Sequence, residues 1–251
     1  MSRAYPTDTS SSIADRLLQR IGLRINPRTI RNYRLSLGFR AVLARSQPLI
    51  NARHAQQRLT FCLLCATARW NNVIFSYEKA FEVDISGMVY WIPYGRPRPT
   101  HYQHQVQFRV AVFGAVWYDG RSNLIFIRDR TNTTTYVQHL QAAFHLRLRQ
   151  VFGYYFIHDR PTWAHTTLAH DWLRNNRISC MDNYPPVSPD LNAIKSVWSW
   201  MNRYIQRNRP NSQQRLERLV QQAWNRMPQN VIRGYINNIP NICAQINHGW
   251  E

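Results

Sequence analysis

The sequence predicts an α/β protein: a mixed sheet with helices on both faces, preceded by a small helix-turn-helix module. Three observations predict it. Residues 11–38 carry two short amphipathic helical patterns and nothing that reads as a strand. Residues 73–128 are rich in β-branched and aromatic side chains at strand spacing. Beyond residue 133 helical patterns dominate, with one short apolar strand among them. Strands first, then strand and helix in alternation, suit a sheet covered on both sides. The expected organisation is a helix-turn-helix module over 1–39, a linker and helix over 40–68, and the α/β domain over 69–251.

In the module, Ser11 or Ser12 is placed to cap a first helix carrying Ile13, Leu17 and Leu18, and Gly22 interrupts it. Asn26 and Pro27 open the second helix, with proline where its missing N–H does no harm. Over 28–37, Ile30, Tyr33 and Leu37 share one face. Arg28, Thr29, Arg31, Asn32 and Arg34 lie on or near the other, and Gly38 ends the helix. A basic, amphipathic second helix suits a DNA major groove, with arginines holding phosphates. An ordinary helical hairpin with a solvated basic face fits the same pattern.

Residues 40–52 look like a linker containing Gln47-Pro48, followed by a helix over about 52–68. Strands are expected over 73–75, 80–85, 88–92, 107–118 and 123–128, the last two meeting at Asp119-Gly120. The loop over 93–100 contains Gly95-Arg96-Pro97-Arg98. It reads either as a minor-groove hook contacting DNA through Arg96 and Arg98 or as an exposed basic loop. A helix over 134–152 leads to a short apolar strand over 154–157, and the chain then reaches Asp159. Helices over 165–175, 191–207, 213–225 and 229–246 complete the pattern.

Composition narrows the function classes. Hydrophobic residues make up 44% of the 251, ample for a folded core, so disorder through low hydrophobicity is excluded. No apolar run is long enough to span a membrane as a helix, and the N-terminus lacks the apolar stretch of a secretory signal. An intracellular protein is expected. Thirty-two basic residues face thirteen acidic ones, a formal charge of +19, and only Lys79 and Lys195 are lysine. Base-composition drift explains arginine in place of lysine but not the shortage of acids. A polyanionic partner relieves the self-repulsion, and guanidinium groups suit bidentate phosphate contacts. Cys62 and Cys65 form a C-x-x-C inside an apolar helical stretch, with no second pair nearby; buried thiols on a helix face are expected, not a zinc site.

The stretch Tyr184-Pro185-Pro186-Val187-Ser188-Pro189-Asp190-Leu191-Asn192-Ala193-Ile194-Lys195, followed by Val197-Trp198, resembles a signature of mariner-superfamily transposases. Other parts fall in that family's order. Val73-Ile74-Phe75-Ser76-Tyr77-Glu78 resembles its first catalytic strand, usually ending F-S-D-E, and Phe156-Ile157-His158-Asp159 with His165-Thr166 resembles the strand bearing its second catalytic aspartate. The family's first helix-turn-helix, normally upstream of the one read here, is expected to be absent. The resemblance implies a ribonuclease-H-like transposase (DDE) domain over 69–251 behind a DNA-binding module, and a homodimer. It also implies DNA cleavage and transfer by two Mg²⁺ ions held on three carboxylates, which activate the attacking oxygen and stabilise the leaving one.

Carried over position by position, the triad is Tyr77, Asp159 and Lys195, so only Asp159 keeps its carboxylate. The step from Asp159 to Lys195 is also one residue longer than the family's commonest spacing. Two unit charges about 4 Å apart interact by roughly 4 kcal/mol at an effective dielectric near 20. Lys195 therefore turns a strong attraction for a divalent ion into a comparable repulsion, and Tyr77 offers only a phenol. Glu78 should face the other side of its strand. Asp84, on what reads as the next strand, and the set His158, Asp159 and His165 are the remaining alternatives for a metal. Lys195 reads as an ion-pair partner of Asp159, as a phosphate contact in the former DNA channel, or as a neutral substitution on the helix face.

The expected function is a transposase-derived DNA-binding protein, catalytically inactive and needing no cofactor, in the nucleus or another intracellular nucleic-acid compartment. DNA is the expected partner and RNA the second candidate; no membrane is involved. The alternatives are an active transposase using Mg²⁺ on non-standard ligands and a basic scaffold in a nucleoprotein particle.

Overall fold

The computed structural model describes residues 9–39, 50–84, 106–158, 162–181 and 183–248. They fall into two compact units, divided after Leu49.

The first unit holds helices α1 (Ser10–Ile21) and α2 (Pro27–Ser36). Thr9, not Ser11 or Ser12, caps α1: its hydroxyl accepts from the Ser12 N–H at 3.0 Å. Gly22 ends α1 in the left-handed region, at φ 67°, where a Cβ would be strained. Asn26 caps α2, with Pro27 in its first turn as expected. Ile13, Ala14 and Ile30 are buried, with Leu17 and Ile25 packed on them. Tyr33 and Leu37, expected beside Ile30, are instead 67% and 57% exposed. Arg34, half-buried, lies about 40° round the helix from Ile30 and exposed Tyr33 about 60° the other way, while Leu37 falls past the helix end.

The second unit begins with α3 (Ala52–Leu64), the helix expected within the linker segment. It is part of this unit because Phe61, Cys62 and Cys65 are buried in the main core. The sheet runs β3 (Gly120–Arg121), β2 (Val106–Trp117), β1 (Val73–Asp84), β5 (Tyr155–Ile157), β6 (Ser179–Cys180), with β4 (Ile125–Ile127) also paired to β2. β1 and β2 are antiparallel, whereas β1–β5 and β5–β6 are parallel. The sheet is mixed, as the sequence predicts.

Two strands expected over 73–75 and 80–85 are one, because β2 pairs with β1 from Phe75 to Asp84 and carries it through the polar Ser76–Lys79 stretch. The strand expected over 88–92 and the loop over 93–100 lie outside the described residues. The helices are shorter than their apolar patterns suggest. α4 (Thr133–Phe144) gives way to a 3-10 turn at Leu148–Val151, and the closing helix divides into α8 (Gln229–Asn237) and α9 (Ile239–Asn247). Pro240 explains the second break, since it lacks an N–H and is tolerated only in a first turn.

Strand alternation sorts the cores. Val73, Phe75, Phe81 and Val83 of β1 face α3, α6 (Ala193–Asn208), α7 (Gln213–Arg226), α8 and α9; Ile74 faces α4 and α5 (Thr167–Asn175). On β2, Val110, Val112 and Val116 join the first group, and Phe113, Ala115 and Trp117 the second. Between them Gly114 admits the stacked rings of Trp198 and Trp224, 5.3 Å apart. A Cβ at Gly114 would stand 2.9 Å from Trp224 and 3.0 Å from Trp198, both buried. Gly114→Ala is expected to destabilise the protein by about 1–3 kcal/mol through overpacking. Denaturant unfolding checks this, and an unchanged midpoint would contradict the packing.

Candidate functional site

Of the three positions that the resemblance assigns to a triad, Tyr77 lies in β1 and Lys195 at the start of α6, and β5 is the strand that precedes Asp159. β1 and β5 are adjacent and parallel, with Phe75 opposite Ile157. Two polar contacts brace the three elements. Buried Ser76 donates its hydroxyl to the Ile157 carbonyl at 2.9 Å, and the Asn192 amide donates to the Ser76 carbonyl at 3.2 Å. The Asn192 side-chain oxygen also accepts from the Ile194 N–H, capping α6. One asparagine thus starts the helix and sets its first turn against β1.

That brace brings Tyr77 and Lys195 together. The Lys195 ammonium lies over the Tyr77 ring, 2.6 Å from its centroid, in a cation–π contact. Both residues are half-buried. A pair of hard cations needs converging oxygen ligands. At these two positions there is a phenol and a cation, and they do not fit such a pair. Asp159 lies outside the described residues.

The substitute carboxylates stand elsewhere. Glu78 faces the opposite side of the sheet, as alternation requires, with its Oε1 4.0 Å from His139 Nδ1 of α4. Asp84, expected on the next strand, is seven residues along the same strand as Tyr77, roughly 23 Å away at the usual rise; this removes it as a ligand beside Tyr77. Asp190 binds Arg58 of α3 bidentately, at 2.8 and 2.6 Å. Of the set His158, Asp159 and His165, the two imidazole rings are 4.5 Å apart, His158 buried and His165 exposed.

Burial raises the Glu78 pKa, partly offset by a hydrogen bond with Thr131, and burial lowers that of His139. A raised carboxyl pKa means the protonated form is favoured in the fold, so the ionised form weakens it at neutral pH. A tenfold change in proton affinity corresponds to about 1.4 kcal/mol. Glu78→Gln should therefore melt higher than the native chain at neutral pH. The gap should close as the pH falls through the raised folded value toward the ordinary 4.5. A gap independent of pH would show that burial of charge is not its cause.

In α2, Arg28, Thr29, Arg31 and Asn32 are exposed, whereas Arg34 is half-buried beside Ile30's side of the helix. The first four form one polar face; Arg34 is set apart from it. Arg96 and Arg98 lie outside the described residues. Cys62, Cys65 and Cys243 are buried free thiols. A hydrogen bond with Cys243 lowers the Cys62 pKa, and the same bond raises that of Cys243. Sequence reasoning missed Ser76 and Asn192 as braces and Arg58 as the partner of Asp190. Asn192 had a usable signal, a capping residue directly before a helical pattern; Arg58 had none.

The profile of the DDE superfamily endonucleases matches residues 72–217, more than half of the chain, and a profile described as a transposase matches residues 1–65. The Tc3 transposase of Caenorhabditis elegans is 27% identical over 210 residues, which cover 80% of this chain and 63% of that protein, so the chain spans less than two thirds of this relative. The Tcb2 transposase of Caenorhabditis briggsae is 24% identical over 265 residues, covering 98% and 94%. Among solved structures, a Mos1 transposase paired-end complex with the left transposon end superposes with TM-score 0.75 at 14% identity, covering 98% of this chain and 75% of that one. The catalytic domain of Mos1 mariner transposase gives 0.62 at 11%, covering 81% and 97%. At such identities the likeness is one of fold, and the mixed sheet flanked by helices is ribonuclease-H-like. With the endonuclease profile matched over 72–217 and the transposase profile over 1–65, the chain belongs to the DDE superfamily endonucleases.

Proposed function

We propose that this chain is a transposase-derived protein that binds duplex DNA and no longer cuts it. One observation carries the second half of the reading: the Lys195 ammonium rests on the Tyr77 ring, where the family's chemistry needs two metal-binding carboxylates. The first half rests on the formal charge of +19 and on the exposed Arg28, Thr29, Arg31 and Asn32 of α2. One solved structure of similar fold is described as a paired-end complex with the left transposon end, which favours DNA over RNA. On this reading the protein acts in the nucleus or another nucleic-acid compartment, and as a homodimer.

The test is duplex binding across a salt series, with Mg²⁺ present and product strands resolved on a gel. Neutralising phosphates releases counterions, so log affinity falls against log salt with a slope near −0.9 per phosphate contacted. A steep slope, made shallower by Arg28→Ala with Arg31→Ala, and intact strands are expected. Affinity indifferent to salt would remove the binding reading; Mg²⁺-dependent nicking would remove the inactive one.

A further inference from the structure

We infer that the protein carries a structural zinc site on the α4–α5 side of the sheet, built from His158, His170 and Cys180 with His165 as the fourth ligand. Three elements deliver the first three: His158 directly follows β5, His170 lies in α5 and Cys180 in β6. The pairing of Phe156 with Cys180 in the parallel β5–β6 ladder sets the thiol level with the end of β5. One donor atom from each of the three lies within 4.8 Å of the others, the one such group of histidine, cysteine or carboxylate residues among the described residues. His158 Nε2 and Cys180 Sγ are already 3.2 Å apart. Tetrahedral zinc, with bonds of about 2.0–2.1 Å to nitrogen and 2.3 Å to sulfur, separates its donors by about 3.3–3.6 Å. A small contraction of His170 closes the set.

The fourth position falls to His165. Its ring centre is 4.5 Å from that of His158 and 6.1 Å from that of His170, and those two are 6.2 Å apart. Imidazoles sharing one tetrahedral ion stand about 5 Å apart, centre to centre, by the same bond lengths. The orientation of His158 is also supplied. The Tyr136 hydroxyl lies 3.2 Å from His158 Nδ1, and Tyr136 is buried. With Nδ1–H donating to that oxygen, the Nε2 lone pair is directed at the thiol and the ion, the arrangement usual for metal-bound histidine. Three imidazoles and a thiolate are a borderline-soft set, suited to Zn²⁺ and unsuited to Mg²⁺. Binding removes the Cys180 proton and leaves four protein ligands with no open position, so the ion's role is to tie β5, α5 and β6 together.

The test uses the full chain, stripped by chelator and then titrated with Zn²⁺ or Co²⁺. One ion retained per chain after dialysis is expected, with a melting temperature that rises on zinc addition and not on Mg²⁺ addition. Co²⁺ should give tetrahedral visible bands and a thiolate charge-transfer band. Cys180→Ser should lose that band, whereas Cys62→Ser with Cys243→Ser should keep it. Tyr136→Phe should weaken zinc affinity by about 10–100-fold. Should Cys180→Ser fail to fold, alkylation of the unaltered chain decides: zinc should protect Cys180 from labelling. No retained ion, a cobalt spectrum without the thiolate band, or Cys180 labelling indifferent to zinc would each overturn the inference.

Discussion

Introducing both carboxylates, Tyr77→Asp with Lys195→Glu, is expected to produce Mg²⁺-dependent nicking of duplex DNA, whereas the unaltered chain is expected to leave strands intact. Neither single change should suffice. Tyr77→Asp alone sets a carboxylate against the Lys195 ammonium, which neutralises it as a metal ligand. Lys195→Glu alone leaves a phenol where an oxygen anion is needed. At about 4 Å and an effective dielectric near 20, each unit charge is worth roughly 4 kcal/mol, twice that against a divalent ion. Swapping a cation and a neutral ring for two anions therefore moves the site from repelling metal to attracting it. Asp159→Ala in the double variant should abolish the nicking again.

A stability readout separates lost metal binding from simple misfolding. Converging carboxylates repel one another without metal. The double variant should therefore melt below the native chain in chelator and recover on addition of Mg²⁺, by the linkage of binding to folding. Nicking that the native chain already performs, or a well-folded double variant that Mg²⁺ neither stabilises nor activates, would sink the explanation of lost cleavage.

Asp190→Ala is expected to lower stability by about 3 kcal/mol in chemical denaturation, a large loss for one side chain. The Arg58 side chain is only 9% exposed and depends on Asp190, itself 38% exposed, for two charged hydrogen bonds. Deleting one partner of a buried pair costs about 3–5 kcal/mol, because the other charge stays buried. The exposure of Asp190 points to the lower end. Arg58 also reaches the Val187 carbonyl at 3.4 Å, a weak substitute. The diagnostic is the double variant Arg58→Met with Asp190→Ala, which should recover most of the loss by removing the orphaned charge. If it were no more stable than Asp190→Ala, the buried guanidinium would not be the cause.

This ion pair explains a residue that the signature motif left without a role. Asp190 stands in the Ser188-Pro189-Asp190-Leu191-Asn192 run but ligates nothing at the triad. It anchors the turn to α3, and Asn192 then starts α6 against β1. The motif therefore acts mainly as a mechanical device that aims position 195 at position 77.

Much of this was legible in the chain order of residue types. Alternation over Val73 to Glu78 correctly sent Glu78 away from Tyr77, because successive side chains on a strand face opposite ways. The signature run located Lys195, and capping chemistry located the start of α2 at Asn26-Pro27. Other features were not legible. Tyr33 and Leu37 share the apolar spacing of Ile30, yet they are exposed, since spacing says which residues share a face and not whether a neighbour covers it. The strands expected on either side of Lys79 are one, because pairing with β2 outweighs local polarity.

By itself the sequence determined the fold class and the basic charge, which are properties of residue type and local periodicity, and its resemblance to the transposases placed Tyr77 and Lys195 where that family carries carboxylates. Only the tertiary structure decided that the Lys195 ammonium rests on the Tyr77 ring, that Arg58 holds Asp190, and that His158, His170 and Cys180 meet. The first two join residues far apart along the chain, Arg58 and Asp190 at a separation of 132, and the third gathers side chains from three separate elements. The physical reason is that hydrophobic burial acts without direction, so the path of the whole chain around its core chooses which distant polar groups converge.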